Sequence, residues 1–241
     1  MESQRSARLR RMGIDTWTLK DQSPPHGPPS LSAPLPALSV TTENPVEGTD
    51  WGPLEERVRH CQRCPLHETR TQTVFGIGDM NARWMFIGEA PGEQEDLKGE
   101  PFVGRAGQLL DEMIKALGLE RSSVYIANVL KCRPPKNRDP LPFEADACES
   151  YLVDQLRLVS PSILVAVGRI AAQNLLKTTT PIGKLRGLVH NYHGIPLVVT
   201  YHPAYLLRAQ TEKRRAWEDL KLARQTLAGV TLKRASDGLH L

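Results

Sequence analysis

The sequence of 241 residues has no apolar run approaching the roughly 18 residues a membrane helix needs. That excludes a helical membrane span. Aromatic residues are scarce at 5%, with only four Phe, so a Phe outside an apolar run is notable. No repeat period is visible, which argues against a solenoid or propeller. Charge is not strongly of one sign: 31 Lys and Arg face 27 Asp and Glu, for a net +4. So mild an excess favours a polyanionic partner without identifying one. Arg5, Arg8, Arg10 and Arg11 are not followed by an apolar core and a small-residue cleavage site. No secretory signal is expected, and the expected location is the cytoplasm.

The apolar fraction of 40% and the charged fraction of 24% are those of a globular protein. Residues 1–50 stand apart. Ser23 to Pro45 is rich in Pro and Ser and reads as an extended linker. Ahead of it, Ala7 to Leu19 has the apolar spacing of a short amphipathic helix, either a solvated tail or a docking peptide for a protein partner. From Trp51 onward, short apolar runs alternate with helical patterns. Strands are expected at Trp84–Ile87, Val124–Val129, Ser162–Val167 and Pro196–Thr200. Helices are expected at Ala106–Leu117, Phe143–Leu158, Ile170–Leu176 and Glu212–Leu227. The order predicts an α/β domain over 51–230, with a mostly parallel four-stranded sheet covered on both faces and a tail at 231–241. Ligands of such sheets bind beyond the carboxyl ends of the strands. That rule selects Gly88 to Gly92, Asn128 to Cys132, Gly168 and Tyr201-His202-Pro203.

The four cysteines are Cys61 and Cys64, two residues apart, then Cys132 and Cys148. In a reducing cytoplasm, metal or cluster ligation outranks disulfides. Four thiolates fit structural zinc or a four-iron cluster, and spacing alone leaves both open. Four unrelated core cysteines are the plainer alternative.

The run from Gly88 to Asp96 follows a buried strand and is dense in carboxylates, which suits a reaction that develops positive charge or holds a water. An acidic surface loop would look the same. Phe102, in a loop before a helix, is a candidate platform for a nucleobase, although core packing is the more frequent fate. Asn128, at a strand end, offers a donor and an acceptor to a pyrimidine edge, or merely forms a turn. His202 can donate to an oxygen as charge builds on it. Leu206 and Leu207 are candidates for a wedge in a base stack, and Arg208 for a phosphate contact; packing and a solvated basic face are the alternatives.

Together these segments resemble the family 4 uracil-DNA glycosylases from about Trp51 to Leu227. The motifs are Gly88-Glu89-Ala90-Pro91-Gly92-Glu93, Pro101-Phe102-Val103-Gly104, Asn128-Val129-Leu130-Lys131-Cys132-Arg133-Pro134-Pro135 and His202-Pro203-Ala204-Tyr205. The resemblance implies a three-layer α/β/α fold, a [4Fe-4S] cluster on Cys61, Cys64, Cys132 and Cys148, and excision of uracil from DNA by a monomeric enzyme. It implies a uracil pocket of Gly88, Glu89, Ala90, Phe102, Asn128 and His202, with His202, Glu89 and Glu95 as catalytic candidates. The stretch Arg133 to Pro140 contains no histidine, unlike a branch of the family that traps DNA covalently. Gly92 leaves no bulky side chain to refuse the methyl of thymine. Two rival readings remain: a noncatalytic iron–sulfur DNA-binding module associated with a polymerase, and a zinc-stabilised nuclease or phosphatase. The second would need acidic residues from several strand ends, whereas here they come from essentially one loop.

Overall fold

The computed structural model describes residues 50–237, with side chains through Thr231. The expected helix at Ala7–Leu19 and the linker at Ser23–Pro45 lie outside the described residues. Two short helices come first, α1 (Trp51–Arg59) and α2 (Leu66–Thr69), followed by strands β1 (Ile77–Gly78) and β2 (Trp84–Gly88). Then come α3 (Glu93–Lys98), α4 (Arg105–Ala116), β3 (Tyr125–Asn128), α5 (Pro142–Val159), β4 (Ile163–Val167), α6 (Arg169–Leu175) and α7 (Ile182–Leu185). The described chain closes with β5 (Val189–Tyr192), β6 (Ile195–Thr200), α8 (Pro203–Arg208) and α9 (Lys213–Asp237).

The sheet has six strands in the order β1-β3-β2-β4-β6-β5. The four expected strands are its parallel centre, and the two additional strands pair antiparallel at the edges. Both edges escape a pattern reading for physical reasons. β1 is only two residues long, and β5 is half exposed, so neither carries a buried apolar run. β5 turns into β6 through His193 and Gly194, both at positive φ (50° and 81°), as a two-residue hairpin turn of the matching twist requires.

The central strands alternate between two cores. Met85, Ile87, Leu164, Ala166, Leu197 and Val199 pack with α1, α2, α5, α6 and α7. Trp84, Phe86, Val165, Val167 and Val198 pack with α4, α8 and α9. Period-two side chains buried on both faces make the three-layer α/β/α arrangement. The last helix continues to Asp237, beyond the Leu227 at which its apolar pattern fades.

Candidate active site

The site lies beyond the carboxyl ends of β2, β3 and β6. Parallel pairing sets Gly88 in register with Asn128, and the N–H groups of Val129 and Leu130 extend it by bonding to Gly88 O (2.9 Å) and Glu89 O (3.0 Å). A cavity of about 530 Å³ opens there, lined by Glu89, Ala90, Gly92, Glu95, Phe102, Asn128 and His202, among others.

Gly88 is what lets the walls approach. A β-carbon on it would stand 2.7 Å from the Phe102 ring and would also meet Asn128 Oδ1. Phe102 is 7% exposed and holds a left-handed backbone (φ 56°), which β-carbon sterics disfavour. Gly107, in the first turn of α4, lets the Phe102 carbonyl pack where any side chain would collide. The carboxylate of Glu95 fastens the same loop. It accepts from the N–H groups of Gly92 (3.1 Å), Val103 (3.0 Å) and Gly104 (3.3 Å), so α3 and the Phe102 loop share one anion. It also occupies the space beside Gly92, where a β-carbon would come within 2.7 Å of Oε2.

Asn128 is buried, and its Oδ1 has no hydrogen-bond partner among the described residues. A buried amide oxygen without a partner costs free energy comparable to a lost hydrogen bond, so it is poised for a donor from a ligand. His202 caps α8: its Nδ1 accepts from the N–H of Ala204 at 3.2 Å. Acceptance at Nδ1 leaves the proton on Nε2, the atom free to donate. Burial pushes the His202 pKa down to about 4, with Glu95 opposing the shift and Arg208 adding to it. The imidazole is therefore neutral at physiological pH. Its ring lies 5.7 Å from that of Phe102, the planes 29° apart. Gly168 (φ 103°) permits this placement, since a β-carbon there would meet His202 Cβ at 2.9 Å.

Glu89 is half-buried at the cavity rim. Burial first, and the charge of Asp139 second, push its pKa up to about 7, with Arg169 opposing. Asp139 is itself paired with Arg169 at 2.8 Å. Sequence reasoning missed this pair, although Arg169 directly follows Gly168, one of the strand-end positions.

The leucines divide. Leu206 is 1% exposed and belongs to the core beneath α8, so the wedge expected of it is corrected: its side chain faces α4 and α9, away from the cavity. Leu207 is partly exposed and Arg208 is exposed at the cavity mouth.

The cysteines converge from distant elements. Cys61 and Cys64 between α1 and α2, Cys132 after β3 and Cys148 on α5 line one small cavity with Arg63, Arg70, Lys131 and Tyr151. No three His, Cys, Asp or Glu side chains among the described residues stand as a single-ion site. Arg70 donates to Cys132 Sγ at 3.1 Å, and the N–H of Lys131 donates to Cys148 Sγ at 3.3 Å. Burial pushes the thiol of Cys148 up to about 11 and raises those of Cys132 and Cys64. Buried thiols become thiolates only with cationic compensation, which a metal centre provides. Lys131, 1% exposed, supplies a further cation without a carboxylate partner: its Nζ donates to Asn128 O (2.8 Å) and Gln155 Oε1 (2.7 Å). Four thiols, donors aimed at the sulfurs and uncompensated cations fit an anionic metal–thiolate group.

The model of the uracil DNA glycosylase superfamily matches residues 75–221. The chain is 48% identical over 162 residues to a type-4 uracil-DNA glycosylase of Archaeoglobus fulgidus, an alignment covering 64% of this chain and 81% of that one. It is 43% identical over 175 residues to a type-4 uracil-DNA glycosylase of Thermotoga maritima, with 71% and 91% covered. With a type-4 enzyme of Pyrobaculum aerophilum the identity is 40% over 183 residues, covering 72% and 92%. The chain belongs to the uracil DNA glycosylase superfamily, in its type-4 family.

Proposed function

We propose that this protein removes uracil from DNA by hydrolysing the bond between uracil N1 and C1′ of the deoxyribose, the first step of base excision repair. The type-4 relatives support the activity. The observation that carries the residue roles is the unpartnered Asn128 Oδ1 facing the same cavity as Phe102 and a neutral His202.

The reaction begins with extrusion of the nucleotide, which costs a few kcal/mol and least for an unpaired base. The ring stacks on Phe102. Asn128 accepts from N3–H through Oδ1 and donates to O4 through Nδ2, an arrangement that reads uracil and refuses cytosine. As the N1–C1′ bond breaks, negative charge spreads onto O2, where the Nε2–H of His202 donates. A neutral donor matched to a developing anion stabilises it without protonating it in advance. Positive charge develops on the sugar, and Glu89 in its ionised form both offsets it and orients the water that adds to C1′. The proton lost by the water balances the one uracil gains. Glu95, with three backbone donors on its carboxylate, keeps one acceptor site for a water and chiefly holds the Phe102 loop.

The thiols of Cys61, Cys64, Cys132 and Cys148 would hold a [4Fe-4S] cluster. When bound, such a cluster supplies a brace between the α1–α2 segment, the loop after β3 and α5, outside the hydrolytic step. A cytoplasmic location, action as a monomer, a phosphate contact by Arg208 and a separate N-terminal extension that can bind a protein partner belong to the same reading. No helix among the described residues is long and apolar enough to cross a membrane.

The test is incubation with uracil-containing and thymine-containing oligonucleotides without added metal, followed by alkali. Cleavage at uracil alone is expected. No cleavage by iron-loaded protein would favour the noncatalytic DNA-binding alternative.

A further inference from the structure

A second cavity, of about 500 Å³, shares with the uracil pocket a wall made by Glu89, Asp139, His202, Ala204 and Arg208. Its far side carries Tyr201 and Tyr205, whose rings lie 5.1 Å apart and tilted by 44°. Tyr201 is braced from behind. The Arg186 guanidinium sits 4.1 Å over its ring and is itself fixed by Asp219 through a buried 2.7 Å ion pair. Tyr205 is 39% exposed, although its neighbour Leu206 is in the core. Successive helical residues point about 100° apart, so burying Leu206 turns Tyr205 outward. The side chain of Arg208, which lines both cavities, has no hydrogen-bond or ion-pair partner among the described residues.

An exposed aromatic face, a rigid aromatic behind it and an unpaired guanidinium at the rim are the elements of a single-stranded nucleic-acid subsite. We propose that this groove holds the base next to the flipped uridine on the same strand, stacked on Tyr205, with Arg208 at the phosphate between the two nucleotides. The inference rests on the uracil-pocket reading. The same five residues line both cavities, so the groove adjoins the pocket and a strand leaving the pocket can continue over Ala204 into the groove.

The test uses oligonucleotides with one central uracil, single-stranded and as duplexes, whose 5′ or 3′ neighbour on the uracil strand is either intact or replaced by a spacer lacking a base. Binding and single-turnover excision are measured for the wild type, Tyr205→Ala and Tyr205→Phe. One of the two spacers should weaken wild-type binding by about tenfold, the scale of one base–aromatic stack. Tyr205→Ala should lose a similar factor on the intact strand and no longer respond to that spacer, while Tyr205→Phe should behave as the wild type. Independent, multiplicative losses from the substitution and the spacer would overturn the proposal, as would no response to either spacer. A Tyr205 effect confined to duplex substrates would overturn it too, by assigning the tyrosine to the opposite strand. Failure of the uracil reading is distinguishable, since the wild type would then release uracil from none of these strands.

Discussion

The ammonium of Lys131 donates a 2.8 Å hydrogen bond to the main-chain carbonyl of Asn128. The fully buried Lys131 thus fastens the strand end that carries the Asn128 amide, one residue from Cys132, one of the four thiols proposed to hold the cluster. Gln155 holds the same ammonium and is anchored in turn by donating to Phe75 O and Tyr125 Oη. Lys131→Met keeps the apolar length and removes the clamp. Uracil excision is expected to fall by about tenfold or more, the scale of a lost hydrogen bond to a charged group. An unchanged rate in folded protein that keeps its iron would exclude the clamp.

Gly88→Ala tests the narrowness of the pocket. The added methyl would intrude between Asn128 and the Phe102 ring. Overpacking of this kind costs about 1–3 kcal/mol where neighbours must move. The expectation is a folded protein in which affinity for free uracil and the excision rate each fall by about tenfold, by the same scale. Inhibition constants for free uracil decide it; an unchanged constant would place the base elsewhere.

Glu89 gives a pH limb. Its pKa of about 7 in the folded protein lies above the ordinary carboxyl value of 4.5. If the ionised form serves the reaction, single-turnover excision rises with pH through about 7, and the limb disappears in Glu89→Gln. The stability consequence has the opposite direction. The folded state binds the extra proton between about pH 4.5 and 7, so this group's contribution falls as pH rises through that window. Glu89→Gln should therefore be more stable than the wild type at pH 8, by about 1 kcal/mol after allowance for partial exposure. Urea unfolding at pH 5 and pH 8 measures it, and an identical difference at both would refute the assignment.

For His202 the window is more acidic. Its folded pKa of about 4 lies below the ordinary 6.5, so the unfolded chain takes up the proton first. The stability contribution is intact above about pH 6.5 and is lost as pH falls toward 4. His202→Asn preserves an acceptor for the Ala204 N–H and removes the Nε2 donor. It should lower excision by about 10²–10³-fold, as loss of a donor to a developing oxyanion does, and should flatten the acid loss of stability. Full activity in this variant would remove His202 from the reaction.

Cys148→Ala removes one of the two buried thiols of the four-cysteine cavity, the one to which Lys131 N–H donates. Iron content and the brown colour of a cluster should be lost, and α1 with α2 should become sensitive to protease before the sheet does. Retention of stoichiometric iron by this variant would refute the ligand set. Zinc in place of iron in the wild-type protein would return the site to a structural metal.

The parallel sheet and its ligand-binding end were legible because each central strand is a short apolar run ended by residues unfit to continue it. Gly88, Asn128 and His202 stand directly at those ends. Cysteine spacing likewise pointed to metal-type chemistry without choosing the metal. Other features depended on chain segments meeting from afar. The hook carrying Cys61 and Cys64 reaches Cys132 and Cys148 only because α1 packs on α5 against one face of the sheet. The burial of Lys131 has no local signal, since a lysine after Val129-Leu130 would ordinarily be read as a surface residue. Asp139 acts on Glu89 only through space. The outward turn of Tyr205 and the inward turn of Leu206 were set by how α8 docks on α4, a rotation that pattern over six residues cannot define. Sequence by itself determined the layers, the strand ends and the reactive residue types, because these follow from periodicity and from local backbone chemistry. Tertiary structure decided which of those side chains share a cavity, which are neutral and which stay exposed at the cavity mouth, because burial and charge are properties of neighbours that the chain order does not name.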